Sequence, residues 1–539
     1  MKADQLVLGN IVTLDPRNPV MQALTVKDGL VQYVGTEKMA RALCDEHTEV
    51  LDYSGKFVYP GMIEAHCHGS LAGPRLTFFA NLTAGKTMRE YLDLLKAYMD
   101  AHPDNEFYYG AGWTERECPP TAAMLDAICP DKPVALNSVD GHSIWFNTAG
   151  MTKFGINADA VKDWGTEIIR VDENGSPTGY ISEGPVNHIT RQMNSFTMEE
   201  FKKAFLVWQE FALSLGITAY YEAGLTEQTL KVYLALIEEG RLKLRVYAGW
   251  MMDERSEDYI ADARKAKEMA DKYNCEYLRI IGVKIFMDGV VEAHTAWTVD
   301  DYADRPGYTG VKRFRDHDRV AALYKECARL GLNVHAHTIG DGAVKFALDC
   351  MEEAQLATGN MHMRNALAHL QMVQPEDIKR LAALNAVAVV APLWMSRAAI
   401  SYYQQSISYI GDRRTFYSYP LRSFLKHSAI LAFHTDYPVS TEASVPKSVY
   451  MACRRTDPHK EVYYQWNPDE CITREEAVAG LTAGPAYSVM QENHLGQLRI
   501  GYVANMSVYD RNFLTDDLEE IADAKTIATV IDGKEVWHC

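Results

Sequence analysis

Phe57-Val58-Tyr59-Pro60-Gly61-Met62-Ile63-Glu64-Ala65-His66-Cys67-His68 is a short apolar run, broken once by Pro-Gly, that ends in two histidines one residue apart. On an extended strand, residues two apart share a face, so both imidazoles can aim at one point. Neutral imidazole is the commonest nitrogen ligand for divalent metals. A buried strand ending this way is half of a metal site, whereas on a surface strand the same pair would be idle. Cys67 lies between them with its side chain on the opposite face and reads as packing. The rest of the chain decides between the two readings.

From about Ile217, apolar strand-like runs alternate with amphipathic helical stretches. The strand candidates are Ile217–Ala223, Leu244–Met251, Ile280–Met287, Asn333–Ala336, Ala366–Ala368, Ala386–Val390 and Ala429–Phe433. Helical patterns such as Asp318–Leu330, Gly342–Ala354 and Pro375–Asn385 lie between most of them. Thr197-Met198-Glu199-Glu200 reads as a capping box opening a further helix. With the opening run the strands number eight, which is the number that closes a parallel barrel.

The two ends read differently. Asp28-Gly29 and Asp532-Gly533 each sit between short β-rich runs, the pattern of a tight hairpin. Neither end can build a strong core alone, so residues 1–56 and 490–539 are expected to meet in one small β domain, with a catalytic body over 57–489 inserted between them. Inside that body, residues from about 70 to 200 break the alternation and are dense in turns and aromatics. They are expected to form an inserted α+β lobe.

Composition sets outer bounds. At 539 residues, 47% hydrophobic and 23% charged, the chain has the make-up of a soluble globular protein. Its net charge of −18 repels nucleic acid and anionic membranes, so neither is an expected partner. Ten scattered cysteines without a Cys-x-x-Cys pair suggest free thiols in a reducing compartment. The first residues lack the apolar core of a signal peptide. A cytoplasmic protein is therefore expected, and a homodimer, since two-fold pairs are the commonest soluble assembly.

In a parallel barrel the chemistry sits at the carboxyl ends of the strands. Those ends deliver His66 and His68, then a lone lysine, Lys284, within Ile280–Gly289. His335-Ala336-His337-Thr338-Ile339-Gly340-Asp341, His369 and His434-Thr435-Asp436 follow. Each has a plain alternative as a core residue or a cap. Burial of Lys284 would lower its pKa, and a neutral amine can add carbon dioxide to give an anionic carbamate. Snorkelling, or pairing with Asp288 or Glu292, is the competing account of the same residue.

These residues together resemble the amidohydrolase superfamily: His66-Cys67-His68 after Pro60-Gly61, then Lys284, His337, His369 and Asp436. More narrowly, the chain is similar to the YtcJ-like branch, which includes N-substituted formamide deformylases. Gly112-Trp113, Asp140-Gly141-His142-Ser143, the Lys284 strand, His337-Thr338-Ile339-Gly340-Asp341 and Thr435-Asp436-Tyr437-Pro438 carry that narrower likeness. It implies an α/β fold, a distorted (β/α)8 TIM barrel with the inserted α+β lobe and a small composite β-sandwich domain from both termini. It also implies two divalent metals per chain, zinc by preference. His66, His68 and Asp436 would hold one, His337 and His369 the other, with carboxylated Lys284 bridging them. His335 competes with His337, because a slip of two residues along a strand keeps the same face.

The expected reaction is hydrolysis of a C–N bond, of amide or N-formyl type, in a small molecule. Asp436 would take the water proton and return it to the leaving nitrogen. Asp288 and Asp341 would orient ligand imidazoles, or else cap turns. Trp113, His142 and Trp297 would line the substrate pocket, or else pack in the core. Two rival readings stand beside this one: a mononuclear deaminase or cyclic-amide hydrolase, and a non-catalytic binding protein.

Overall fold

The structure is a computed structural model of the chain and describes all residues except 116–117, 139–142, 183–184, 194, 255, 315, 396–399, 441 and 460–464, with side chains also excluded at 187–188, 191 and 400–405. Eight strands pair in parallel, in chain order: β1 (Met62–Cys67), β2 (Ile217–Leu225), β3 (Arg245–Met251), β4 (Leu278–Phe286), β5 (Asn333–Thr338), β6 (Ala366–His369), β7 (Val387–Val390) and β8 (Ile430–Phe433). All are Val-, Ile- or Ala-rich and almost wholly buried, as strands covered on both faces must be. The first and last meet at their carboxyl ends, where Asp436 N donates to His66 O (3.2 Å) and His68 N donates to Tyr437 O (2.9 Å). The result is a nearly closed barrel. Its interior is filled on one side by small residues: Ala65, Ala366, Ala368, Val387, Val389 and Ala432.

Two irregularities aim the side chains that matter. Tyr220 pairs with Glu64 and Glu222 with Cys67, so β1 carries one residue more than β2 just before its histidines. Consecutive residues Ala65 and His66 therefore both face inward. Ala248 pairs with Ile280 and Gly249 with Gly282, so β4 carries an extra residue at the same height. That bulge brings both Ile281 and Lys284, three apart, to the interior. Strict alternation fails in these two strands, and one-residue bulges are the usual means of redirecting a side chain near a site. Gly282 makes the second one possible, since a Cβ there would lie 2.1 Å from Asn333 O.

The chain ends contribute a seven-stranded mixed sheet in the order Lys534–His538, Thr526–Ile531, Met506–Tyr509, Glu49–Pro60, Gln5–Val12, Val20–Lys27, Leu30–Gly35. Both Asp-Gly turns close hairpins, with φ positive at Asp28, Gly29, Asp532 and Gly533 as a two-residue turn requires. Glu49–Pro60 lies parallel to Gln5–Val12 and antiparallel to Met506–Tyr509, and Gly61 then leads directly into β1.

Residues Gly69–Trp208 form a second compact unit. A six-stranded mixed sheet runs through it, with one apolar cluster around Tyr91, Leu95, Trp113 and Trp145 and another around Phe79, Tyr109, Phe146 and Ile181. The capping box forms: Glu200 N donates to Thr197 Oγ1 and Thr197 N donates to Glu200 Oε2. Among the described residues, which include all ten cysteines, no disulfide forms. None of the described helices is long and apolar enough to cross a membrane.

Candidate metal centre

His66 is 1% exposed, and both of its ring nitrogens are engaged. Nδ1 lies 2.7 Å from His335 Nε2, while Nε2 lies 3.4 Å from Lys284 Nζ and 3.2 Å from Asp436 Oδ1. His68 is the more open of the pair, with its Nε2 3.4 Å from the same Asp436 oxygen. His335 is clamped flat against the Tyr221 ring, centroids 4.3 Å apart. His337, two residues on, faces His369 at 4.6 Å between ring centroids.

Asp288 is completely buried and gathers backbone donors from two loops. Its carboxylate accepts from Ile339 N, Gly340 N and Trp297 N, and Oδ1 sits 3.4 Å from His337 Nδ1. Asp341 accepts from Val299 N and from the Gln374 side chain, so it ties loops together. Trp297 is half-buried among Phe314, His317 and Phe346. Trp113 lies in the core of the 69–208 unit, its Nε1 donating to Leu136 O. His142 falls outside the described residues.

Three aromatic side chains in this cluster were missing from the sequence-derived set. His434 ends β8 with its ring 5.1 Å from His66 and 5.0 Å from His369. Trp394, just past β7, stacks on His369. Tyr221 holds His335. The His434-Thr435-Asp436 spacing repeats that of His66-Cys67-His68, which is the signal that could have found the first. Nothing local to Trp394 or Tyr221 marks either.

Electrostatics follow from burial. Desolvation lowers the Lys284 amine to about 7 and keeps His66, His335, His337 and His369 well below the ordinary imidazole value. His434 is likewise lowered, to about 4. Burial, the largest influence, works to raise Asp436, but His68, His369 and His434 together outweigh it and hold the acid at about 2. Burial raises Asp288 to about 8 despite three backbone donors. The cluster therefore offers neutral imidazoles around one carboxylate, the protonation state that cation binding needs.

The donor set fits a divalent ion on its own geometry. Ligand atoms of His66, His369 and Asp436 lie within 4.8 Å of one another. Asp436 Oδ1 and both His434 nitrogens are buried without a hydrogen-bond partner among the described residues. Leaving such groups unpaired in a dry interior costs about 1–3 kcal/mol each. A cation at the point they surround offsets that cost.

The amidohydrolase family model matches residues 49–537. The chain belongs to that family. This amidohydrolase is 25% identical to Protein LONG AFTER FAR-RED 3 of Arabidopsis thaliana, over 99% of its own length and 92% of the relative's. It is 24% identical to the N-substituted formamide deformylase of Arthrobacter pascens, over 98% of both chains. Among solved structures, an uncharacterized metal-dependent hydrolase from Pyrococcus furiosus superposes with a TM-score of 0.74 at 26% identity, covering 95% of this chain and 100% of that one. The family, the deformylase relative and the fold agree on a metal-dependent hydrolase.

Proposed function

We propose that this amidohydrolase cleaves a C–N bond of amide or N-formyl type in a small molecule, at a centre built from His66, His68, Lys284, His337, His369 and Asp436. The observation that carries the reading is the convergence of buried, neutral imidazoles on Asp436, with the Lys284 amine alongside. Likeness to the formamide deformylase along the whole chain supports the bond type. Divalent cations held there, zinc on the nitrogen-rich donor set, would polarise the substrate carbonyl and make water nucleophilic near neutral pH.

The protein's own groups supply the rest. Asp436, kept ionised by the histidines around it, accepts the proton released as water attacks and returns it to the departing nitrogen. Amines leave poorly without that proton. His66 Nδ1 and His335 Nε2 share a hydrogen bond, and with His66 as the donor its Nε2 lone pair would be directed at the centre. The fully buried Lys284 amine is neutral in a large fraction near pH 7. It can add carbon dioxide with loss of one proton, giving a carbamate that would supply anionic oxygen ligands to a cation held there.

A second reading, a deaminase or cyclic-amide hydrolase with a single cation, is favoured by one feature. The trio whose ligand atoms lie within 4.8 Å of one another, His66, His369 and Asp436, mixes donors assigned to both ions. Metal analysis of the purified chain, coupled to a screen of N-formyl and N-acyl amines, separates the two. Two ions per chain with release of amine supports the first reading, and one ion with loss of ammonia supports the second. A protein with no ion, and no turnover after addition of zinc and bicarbonate, would count against both.

A further inference from the structure

Each imidazole facing the centre needs something to fix its tilt, and ligand histidines ordinarily use a partner on the second nitrogen. His66 has His335, and for His337 the Asp288 carboxylate lies 3.4 Å from Nδ1 without making a hydrogen bond. His369 Nδ1 likewise makes no hydrogen bond among the described residues. What lies against it instead is Trp394, whose indole is nearly parallel to the imidazole, at 14° and 5.1 Å between centroids. The edge of the same indole meets His434 at 5.7 Å.

The other end of the indole is also engaged. Trp394 Nε1 donates to Ser440 Oγ at 2.7 Å. Ser440 N and Val439 N both donate to Asp436 O, so Ser440 belongs to the turn that presents the acid. His369 and Asp436 both have φ in the left-handed region, +83° and +58°. For residues other than glycine that conformation costs about 1–2 kcal/mol each and persists only where neighbours enforce it. One side chain from the end of β7 thus reaches the donors at the ends of β6 and β8, both of them strained.

We infer that Trp394 is a positioning residue, stacked on His369 and hydrogen-bonded into the Asp436 turn so that both donors are set for the cation. This rests on the cation-centre reading above. The test uses the full-length protein as purified and follows zinc retention against a graded competing chelator, together with tryptophan emission during zinc loading. Trp394→Leu removes stack and hydrogen bond and loses zinc about ten- to a hundredfold more readily, the usual cost of removing a group that orients a ligand. Trp394→Phe keeps a ring on His369 and retains zinc more tightly than the leucine variant. Ser440→Ala loses only the hydrogen bond and also falls between leucine variant and wild type.

Loading alters the emission of an indole lying on a ligand, so the zinc-induced change is present in wild type and Ser440→Ala and absent from Trp394→Phe. Melting in excess chelator separates positioning from mere packing, since a packing role lowers the ion-free midpoint in proportion to the zinc lost. Zinc held by Trp394→Leu as tightly as by wild type overturns the inference while the centre stands. A phenylalanine variant as defective as the leucine one also overturns it. Wild-type protein that takes up no ion removes the inference and the centre together.

Discussion

Asp436 is asked to be both a cation ligand and a carrier of protons, and its surroundings permit both. Its Oδ1 faces His66 and His68 with no closer hydrogen bond competing for it. Asp436→Asn keeps the shape and one oxygen donor but cannot carry the proton, so kcat is expected to fall by about 10²–10⁴. Zinc content measured on the same sample should remain detectable, and wild-type turnover in this variant would end the assignment. His335 offers a second measurement at this scale. His335→Phe leaves the His66 Nδ1–H buried without an acceptor, a loss of about 1–3 kcal/mol. Urea unfolding should register that loss, and the ion count should drop with it. An unchanged ion count would make His335 a packing residue.

At the scale of elements, eight strands were legible because barrel strands are buried on both faces and read as continuous apolar runs. Lys284 stood out for the same reason, as one cation in such a run. The hairpins were legible because Asp-Gly is among the few pairs that accept two positive φ values. The bulges in β1 and β4 were not, since register depends on which residues of a neighbouring strand are opposite, and that is fixed by the closed sheet. Trp394 and Tyr221 were hidden likewise, because their partners lie on other strands. His434 was visible at its strand end but went unassigned beside Asp436. Gly282 turns the hidden register into a test. In Gly282→Ala the new Cβ meets backbone at Asn333, which cannot rotate away. The strand must shift, at about 1–3 kcal/mol by the measure of overpacked cores, and Lys284 shifts with it. A lowered urea midpoint together with a reduced ion count is expected. A variant that loses stability but keeps its full metal complement would show that the bulge does not aim the lysine.

For the molecule as a whole, the C-terminal segment is pinned to the barrel through Arg364, which stands two residues before β6. Its guanidinium makes a two-point pair with Glu492 at 2.5 Å for each bond, donates to Tyr487 O at 2.9 Å and lies over the Tyr487 ring. Hydrogen bonding to Arg364 holds the Glu492 carboxyl below its ordinary value, with burial opposing. A carboxyl depressed in the folded state binds fewer protons there than in the unfolded chain. Its stabilisation is therefore complete above the unfolded value of about 4.3 and disappears as pH falls through the lower, folded value. Asp4, lowered by its hydrogen bond to Lys27 in the terminal sheet, acts in the same window and sense. Arg364→Gln should accordingly cost about 2 kcal/mol at neutral pH, as expected for hydrogen bonds to a charged partner. The gap between wild type and variant should narrow steadily below pH 4, because the protonated Glu492 no longer distinguishes them. Urea midpoints taken from pH 3 to 7 measure that gap directly. A gap independent of pH would mean that Arg364 contributes by packing on Tyr487, and that the ion pair does not join the C-terminal segment to the strand carrying His369.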